Sequence, residues 1–234
     1  MKRLSSLILT FSILFFVFLI SLVFLRIPGF YKLMSIQDTL DILTPLVLLP
    51  LYFLMFRLDD KTPLDLKGLM MFVLFAAFWG AGQGMHLSAN SIGNLLSKLG
   101  QKTGDVYGLT HFYDEWLSHY LWHIGIVGLS GLLIYRQWKN PFAEGKLPMF
   151  PIILGGIIYG FTYFLIIMEG NTWPVGVPFS VLATLFILIR AKKDIGKQPM
   201  TAFFLVSYGL ATLLFLIWFI ITGGFTPIME VVKF

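Results

Sequence analysis

The sequence predicts an all-α, polytopic membrane protein, and two observations lead to that prediction. Hydrophobic residues occupy 57% of the 234 positions and charged residues only 12%, about half the charged fraction of a typical soluble protein. The apolar residues form seven stretches that are long enough, or nearly so, to cross a ~30 Å hydrocarbon core as helices. We therefore expect a single integral membrane domain over residues 1–234, with spans at about residues 7–25, 36–56, 68–87, 116–135, 149–168, 174–189 and 202–221.

The first span follows Lys2 and Arg3 and has the charge pattern of a secretory signal. Its apolar run is long, however, and no small-residue cleavage motif occurs before Arg26 and Pro28, so we expect the helix to be retained. The second span is the least regular, because Pro45 and Pro50 fall inside it and Asp38 and Asp41 stand at its start. Neighbouring helices can satisfy the carbonyls that a proline frees, which favours a kinked span over a loop.

The remaining spans are bounded by charged and aromatic residues, and the loop charges set the orientation. With a cytoplasmic N-terminus and an external C-terminus, twelve of the seventeen lysines and arginines lie on the cytoplasmic side, as the positive-inside rule requires. Trp116 and Trp173 then mark the outer interface and Trp138 the inner one, as in an aromatic belt. We expect a multi-pass protein of a bacterial or archaeal inner membrane.

Composition also excludes several classes of function. There is no cysteine, so disulfides, thiol catalysis and cysteine-ligated metals are excluded. The net charge of +5 follows from the topology, and no basic run interleaved with aromatic residues indicates a nucleic-acid partner. The longest predicted connection, residues 88–114, is too short for a soluble domain, and the absence of a visible internal repeat does not favour an inverted-repeat transporter.

The chemically most informative residues are the histidines. His111, Glu115, His119 and His123 follow one another at a spacing of four, which places them on one face of a helix. His86 ends the third span and so lies at a depth similar to that of the first turns of the antiparallel fourth span. Ionisable residues are costly in a membrane, and a group of them indicates a functional site.

The histidine spacing is typical of a metal site. His119 and His123, one turn apart, can bind one ion, and His86 from the neighbouring helix completes the three-ligand set of catalytic zinc, with a fourth position left for water. Zinc bound in this way supplies hydroxide at neutral pH. His111 is about 18 Å from His123 along the helix axis, so we place it outside the ligand set.

Two acids are candidates for proton transfer. Glu115 shares a face with His119 and could orient its imidazole through the second ring nitrogen, whereas Asp114 points about 100° away and could be an ordinary acid at a helix start, with Thr110 as the cap. Either could be the general base. Glu169, at the end of the fifth span, either reaches the cluster or is simply solvated.

The third span carries further polar residues. Gln83 and Asn90 share a face with His86 and could polarise a substrate carbonyl or serve as hydrogen-bonding contacts between helices. Gly80, Gly84 and Ser88 form an adjacent stripe of small residues, a pattern that permits close helix packing.

Seven spans, one histidine on an early helix, an acid and a His-x-x-x-His pair resemble the CREST superfamily of membrane hydrolases, which includes alkaline ceramidases and adiponectin receptors. The resemblance implies zinc held by His86, His119 and His123, with Asp114 or Glu115 acting on the bound water. The motif order differs, because in that family the pair lies on the last helix and a serine stands where this chain has Gly82.

The sequence thus predicts a zinc-dependent hydrolase acting on a lipid-linked amide or ester near the outer leaflet, with membrane lipid as its partner. The catalytic candidates are Glu115, Asp114, Asn90 and Gln83. Two other classes of function stay open: a haem-binding electron carrier with histidine axial ligands, and an ion or proton transporter. A retinal protein is excluded because the seventh span has no lysine, and a di-iron desaturase because four histidines are too few.

Overall fold

The computed structural model describes residues 1–24, 35–58 and 65–231, with side chains described from 1–20, 35–58 and 65–231. These residues form eight helices, which confirms the all-α prediction for them, and seven of the helices are long and apolar enough to cross a membrane. The predicted end of the first span at residue 25, together with Arg26, Pro28, Lys32, Lys61 and Lys233, lies outside the described residues. The helices are α1 Lys2–Phe24, α2 Ile36–Leu58, α3 Leu66–Lys98, α4 Asp105–Lys139, α5 Met149–Glu169, α6 Trp173–Lys197, α7 Pro199–Thr222 and α8 Ile228–Val231.

Helices α3 and α4 extend well beyond the predicted spans, so the expected connection at residues 88–114 is wrong. Helix α3 continues to Lys98 and α4 begins at Asp105, which leaves only residues 99–104 between them. With 33 residues in α3 and 35 in α4, each helix is about 50 Å long, whereas the hydrocarbon core is ~30 Å thick. Hydropathy identifies only the apolar part of each helix, whereas helical hydrogen bonding continues into the more polar residues on either side.

Two of the long helices contain wider turns. Helix α4 is π-helical over Phe112–Ser118, and α6 has a π-helical turn at Ile187–Ala191 that leads into a 3₁₀ segment, Lys192–Lys197. A π-turn closes its hydrogen bonds five residues apart and therefore rotates the residues that follow it, and such turns occur often at functional sites. Helix α2, by contrast, is one continuous helix with Pro45 and Pro50 inside it.

Helices α3 and α4 make the most extensive contact in the bundle, and glycine on each helix permits it. A Cβ on Gly82 would stand 2.5 Å from the backbone nitrogen of Trp122, and one on Gly125 would stand 2.6 Å from that of Trp79. Each helix thus lies directly on the backbone of the other. The predicted stripe of Gly80, Gly84 and Ser88 does not serve close packing at its glycines, because Gly80 and Gly84 have open space where a Cβ would be.

The centre of the bundle holds a buried hydroxyl cluster contributed by four helices. The hydroxyl of Tyr52 lies 3.1 Å from that of Tyr159 and 3.2 Å from that of Ser130, and Tyr159 lies 3.5 Å from Tyr208. All four side chains are fully buried. Their mutual hydrogen bonds satisfy polar groups that would otherwise be costly in an apolar interior.

The two ends of the bundle differ in chemistry. One end, which we call the histidine end, is where α2 and α6 begin and α5 ends, and it contains the histidines. The opposite end, which we call the basic end, is where α3 begins and α4 ends, with Lys67, Arg136 and Lys139. The ends of three helices therefore lie at the level of the histidines.

Candidate functional site

The three predicted ligand histidines lie together at the contact between α3 and α4. The ring centroids of His86 and His119 are 5.0 Å apart, and those of His119 and His123 are 6.1 Å apart. The indole of Trp122 packs against all three imidazoles, with centroid distances from 4.8 to 6.5 Å. Because Gly82 and Gly125 bring the helix backbones together one turn away, the site depends on that close approach.

His86 is held by an acid from a third helix. Its Nδ1 lies 3.2 Å from Oδ2 of Asp41, which is only 4% exposed, and Oδ1 of Asp41 accepts a 2.6 Å hydrogen bond from Nε2 of Gln83. The amide oxygen of Gln83 in turn accepts from the indole N–H of Trp79 at 3.2 Å. Gln83 therefore orients Asp41, and both the nitrogen and the oxygen of its side-chain amide are hydrogen-bonded.

His119 and His123 are each held through Nδ1 as well. Nδ1 of His119 lies 3.1 Å from the backbone carbonyl of Glu115, so it is the main chain of Glu115 that contacts the ring, while the carboxylate side chain is exposed. Nδ1 of His123 lies 2.5 Å from the hydroxyl of Thr172, which is fully buried in the turn between α5 and α6.

This turn lies directly on the two rings because it contains Gly170. A Cβ at Gly170 would stand 2.9 Å from Cε1 of His123 and 3.4 Å from Cγ of His119. The next residue, Asn171, has a positive φ of 49°, a conformation that asparagine tolerates better than most residues. Neither Gly170 nor Thr172 is marked by any spacing rule, so sequence analysis missed both.

Asp114 faces the site although helical geometry predicted that it would point away. Its Oδ1 lies 3.7 Å from Nε2 of His86, and its side chain is 15% exposed. The reason is the π-helical segment, in which residues five apart share a face, so that Asp114 aligns with His119 and Glu115 turns outward. The hydroxyl of Ser118 also donates to the carbonyl of Asp114 within this segment.

Three polar atoms of the site are buried and have no hydrogen-bond partner among the described residues; one is the indole nitrogen of Trp122, a donor, and the other two could accept a hydrogen bond or bind an ion. These two are Oδ1 of Asp114 and Nε2 of His123. Buried polar atoms are nearly always paired, so each exception needs a physical explanation. An acceptor oxygen and an imidazole nitrogen, close to a second histidine, are groups that could bind a cation.

The other candidates lie outside this cluster. Asn90 accepts a 2.9 Å hydrogen bond from Asn94 on its own helix, and His111 is exposed and stacks on Tyr107. Oε2 of Glu169 accepts a 3.2 Å hydrogen bond from the backbone N–H of Met229, the second residue of α8.

Within the described ranges, no three histidine, aspartate or glutamate side chains are already placed to hold one metal ion. The zinc ligand set therefore stays a prediction. No protein-family model, curated protein or solved structure matches the chain.

Proposed function

We propose that this protein is a metal-dependent membrane hydrolase, with zinc bound by His86, His119 and His123 and with a lipid-linked amide or ester as substrate. One observation carries the proposal: all three imidazoles are held through Nδ1, by a carboxylate, a carbonyl and a hydroxyl. Histidines that bind metals almost always use the second ring nitrogen in this way, because it fixes the ring orientation and the tautomer.

Two of the three ring pairs have centroid distances near those of a zinc ligand set. A tetrahedral zinc ion with Zn–N bonds of ~2.0–2.1 Å places two imidazole centroids about 5 Å apart. The pair His86 and His119, at 5.0 Å, already meets this distance. The pair His119 and His123, at 6.1 Å, needs to close by about 1 Å, which is within the reach of side-chain rotation.

A zinc ion in this position would supply hydroxide at neutral pH. Asp114, beside Nε2 of His86, accepts the proton of the attacking water in this proposal and passes it to the leaving amine or alcohol. The water oxygen bonds to the acyl carbon, and the bond from that carbon to nitrogen or oxygen breaks. Glu115, exposed at the same level, is the second candidate for the proton transfer, and Gln83 keeps Asp41 in position.

The CREST resemblance supports the same chemistry by analogy. Both combine seven membrane helices with three histidines and an acid. In this chain the proposed set comes from α3 and α4, so we propose a similar site reached with a different motif order.

We further propose that the histidine end faces outward from an inner membrane, with the N-terminus cytoplasmic. The support is the excess of lysine and arginine on the opposite side, as the positive-inside rule requires. The site would then open near the outer leaflet, where the acyl linkages of membrane lipids lie.

The spacing of His86 and His119 favours a small ion over a haem held by this pair. A haem with two axial histidines lies between their rings, and iron with its macrocycle needs about 6 Å between the ring centroids. His86 and His119 are closer than this at 5.0 Å, and Trp122 packs against both.

Metal analysis tests the proposal directly. We expect purified wild-type protein to carry about one zinc ion per chain by mass spectrometry of the elements, and the His119→Ala/His123→Ala variant to carry almost none. His111→Ala is the matched control, because His111 is exposed and should leave the zinc content unchanged. Equal zinc content in the wild type and the double variant would refute the site.

Hydrolysis is tested separately on the same preparations. A long-chain ceramide and an ester with the same acyl chain, each in mixed micelles, should release fatty acid with the wild type but not with the double variant. Asp114→Asn should keep its zinc and lose the release. Zinc binding without any release from either lipid would refute hydrolysis of these linkages and favour an ion-transport role for the same residues.

A further inference from the structure

A long groove runs along the bundle from the level of Ile124 to the basic end. It has a volume of about 980 Å³ and lies between α3 and α4, with Phe179 of α6 on one side. Its walls are apolar, with Met71, Phe75, Val127 and Leu132 among the lining residues.

The groove has the dimensions of a lipid tail. Along α4 it extends from Ile124 to Asn140, which is about 24 Å at 1.5 Å per residue. One leaflet of hydrocarbon is about 15 Å deep, half of the ~30 Å core, so an acyl chain can lie in the groove along its full depth. Gly131 makes room on the α4 side, where a Cβ would meet only the ring of Phe179, at 3.6 Å, whereas the space beside Gly128 is filled by the ring of Phe75.

The mouth of the groove is basic. It is lined by Lys67, Arg136 and Lys139 against a single acid, Asp65. The carboxylate of Asp65 accepts a hydrogen bond from the backbone N–H of Gly68 at 2.9 Å and so caps α3. Lys67 and Lys139 are exposed, and their charges are available to a ligand at the membrane surface.

Aromatic rings hold two of the cations at the level of the groove. The guanidinium carbon of Arg136 lies 4.2 Å from the ring centroid of Phe56, and Nζ of Lys139 lies 4.3 Å from that of Trp138. Cation–π contacts of this kind orient a cation while it keeps its charge. The positive charges at the mouth are therefore held next to the apolar walls of the groove.

We propose that this groove binds one anionic phospholipid, with its phosphate at the exposed Lys67 and Lys139 and an acyl chain along the groove between α3 and α4. Apolar walls alone would accept any lipid, whereas a net positive mouth selects a negative headgroup, as basic pockets between membrane helices do. A soluble phosphate would gain nothing from the apolar walls. This site lies at the basic end and is independent of the function proposed for the histidine end.

The experiment is native mass spectrometry of the full chain in detergent, titrated with phosphatidylglycerol and with phosphatidylcholine carrying the same acyl chains. We expect the wild type to bind phosphatidylglycerol roughly 25-fold more tightly, from two exposed lysines. Lys67→Gln/Lys139→Gln should abolish this preference, since each lysine near a membrane surface contributes a factor of about five. The matched control, Lys98→Gln/Lys102→Gln, removes two exposed lysines from the histidine end and should preserve it.

A second pair of variants tests the apolar slot. Gly131→Leu fills the groove and should weaken binding of both lipids, whereas Gly84→Leu, at a site with open space, should not. Equal binding of both lipids by the wild type, or equal loss in the two lysine double variants, would overturn the proposal. So would displacement of phosphatidylglycerol by millimolar inorganic phosphate, which would indicate a site for a free anion.

Discussion

The contact between α3 and α4 gives the sharpest test of how this fold builds its site. We predict that Gly82→Ala and Gly125→Ala destabilise the protein, although alanine is the better helix former. In each case the added methyl group meets the backbone of the opposite helix, at 2.5 Å from Trp122 N for Gly82 and at 2.6 Å from Trp79 N for Gly125. Backbone atoms cannot rotate away as a side chain can.

The magnitude follows from these distances. An ordinary contact of a Cβ is 3.4–4 Å, so the helices must separate locally by about 1 Å, and inserting a methyl group into a well-packed interior costs typically 1–3 kcal/mol. Replacing glycine by alanine inside a helix otherwise gains about 0.5–1 kcal/mol. We therefore expect a net loss of about 1–2 kcal/mol for each variant.

The assay is thermal unfolding in detergent micelles, followed by the circular dichroism of the helices. Gly80→Ala and Gly84→Ala are matched controls on the same helix, because both glycines have open space at the Cβ position, and these variants should be as stable as the wild type or more so. If Gly82→Ala and Gly84→Ala unfolded at the same temperature, the close approach of α3 and α4 would be wrong, and with it the placement of His86 beside His119.

Three further variants test other parts of the structure. Asp41→Asn should lower zinc affinity about 10- to 100-fold, because an amide has only one oxygen and cannot accept hydrogen bonds at both ends from Gln83 and His86. Asp38→Asn, one turn earlier on the same helix, is the control. Equal zinc affinities of the two variants would contradict this role of Asp41. Tyr159→Phe should cost about 1–3 kcal/mol, because it leaves buried hydroxyls without a partner; unchanged thermal unfolding would show that the cluster is not cooperative. Asp65→Ala should cost about 1 kcal/mol by removing the α3 cap, and a melting temperature equal to that of the wild type would count against it.

The spans themselves could be predicted from the sequence because the signal is local. A stretch of about twenty apolar residues identifies a membrane helix regardless of what packs around it. The same rule could not find the real ends of α3 and α4, because Ser88–Lys98 and Asp105–Tyr113 are polar enough to lie in water and yet remain helical. The end of an apolar stretch and the end of a helix are set by different forces. Hydropathy predicts only the end of the apolar stretch.

The proximity of His119 and His123 could also be predicted, because a spacing of four places both residues on one face of a single helix. The choice between Asp114 and Glu115 could not, because it depends on the π-helical segment at Phe112–Ser118. A regular α-helix turns Glu115 toward His119, and one wider turn gives that direction to Asp114 instead. No residue in the segment has a known preference for π-turns that would have indicated it.

The contact of Asp41 with His86 could be predicted only in part. Asp41 stands in an apolar span, where an unpaired charge is costly, so the acid requires a polar partner on another helix however the helices pack. Helix α2 begins at the end of the bundle where α3 carries His86, which makes a histidine the natural partner at that depth. Spacing along one helix cannot tell which histidine it is, because packing fixes the rotation of α2 relative to α3. The 3.2 Å contact with Nδ1 of His86 settles the choice, and a buried acid in any apolar span predicts a partner on a neighbouring span by the same physics.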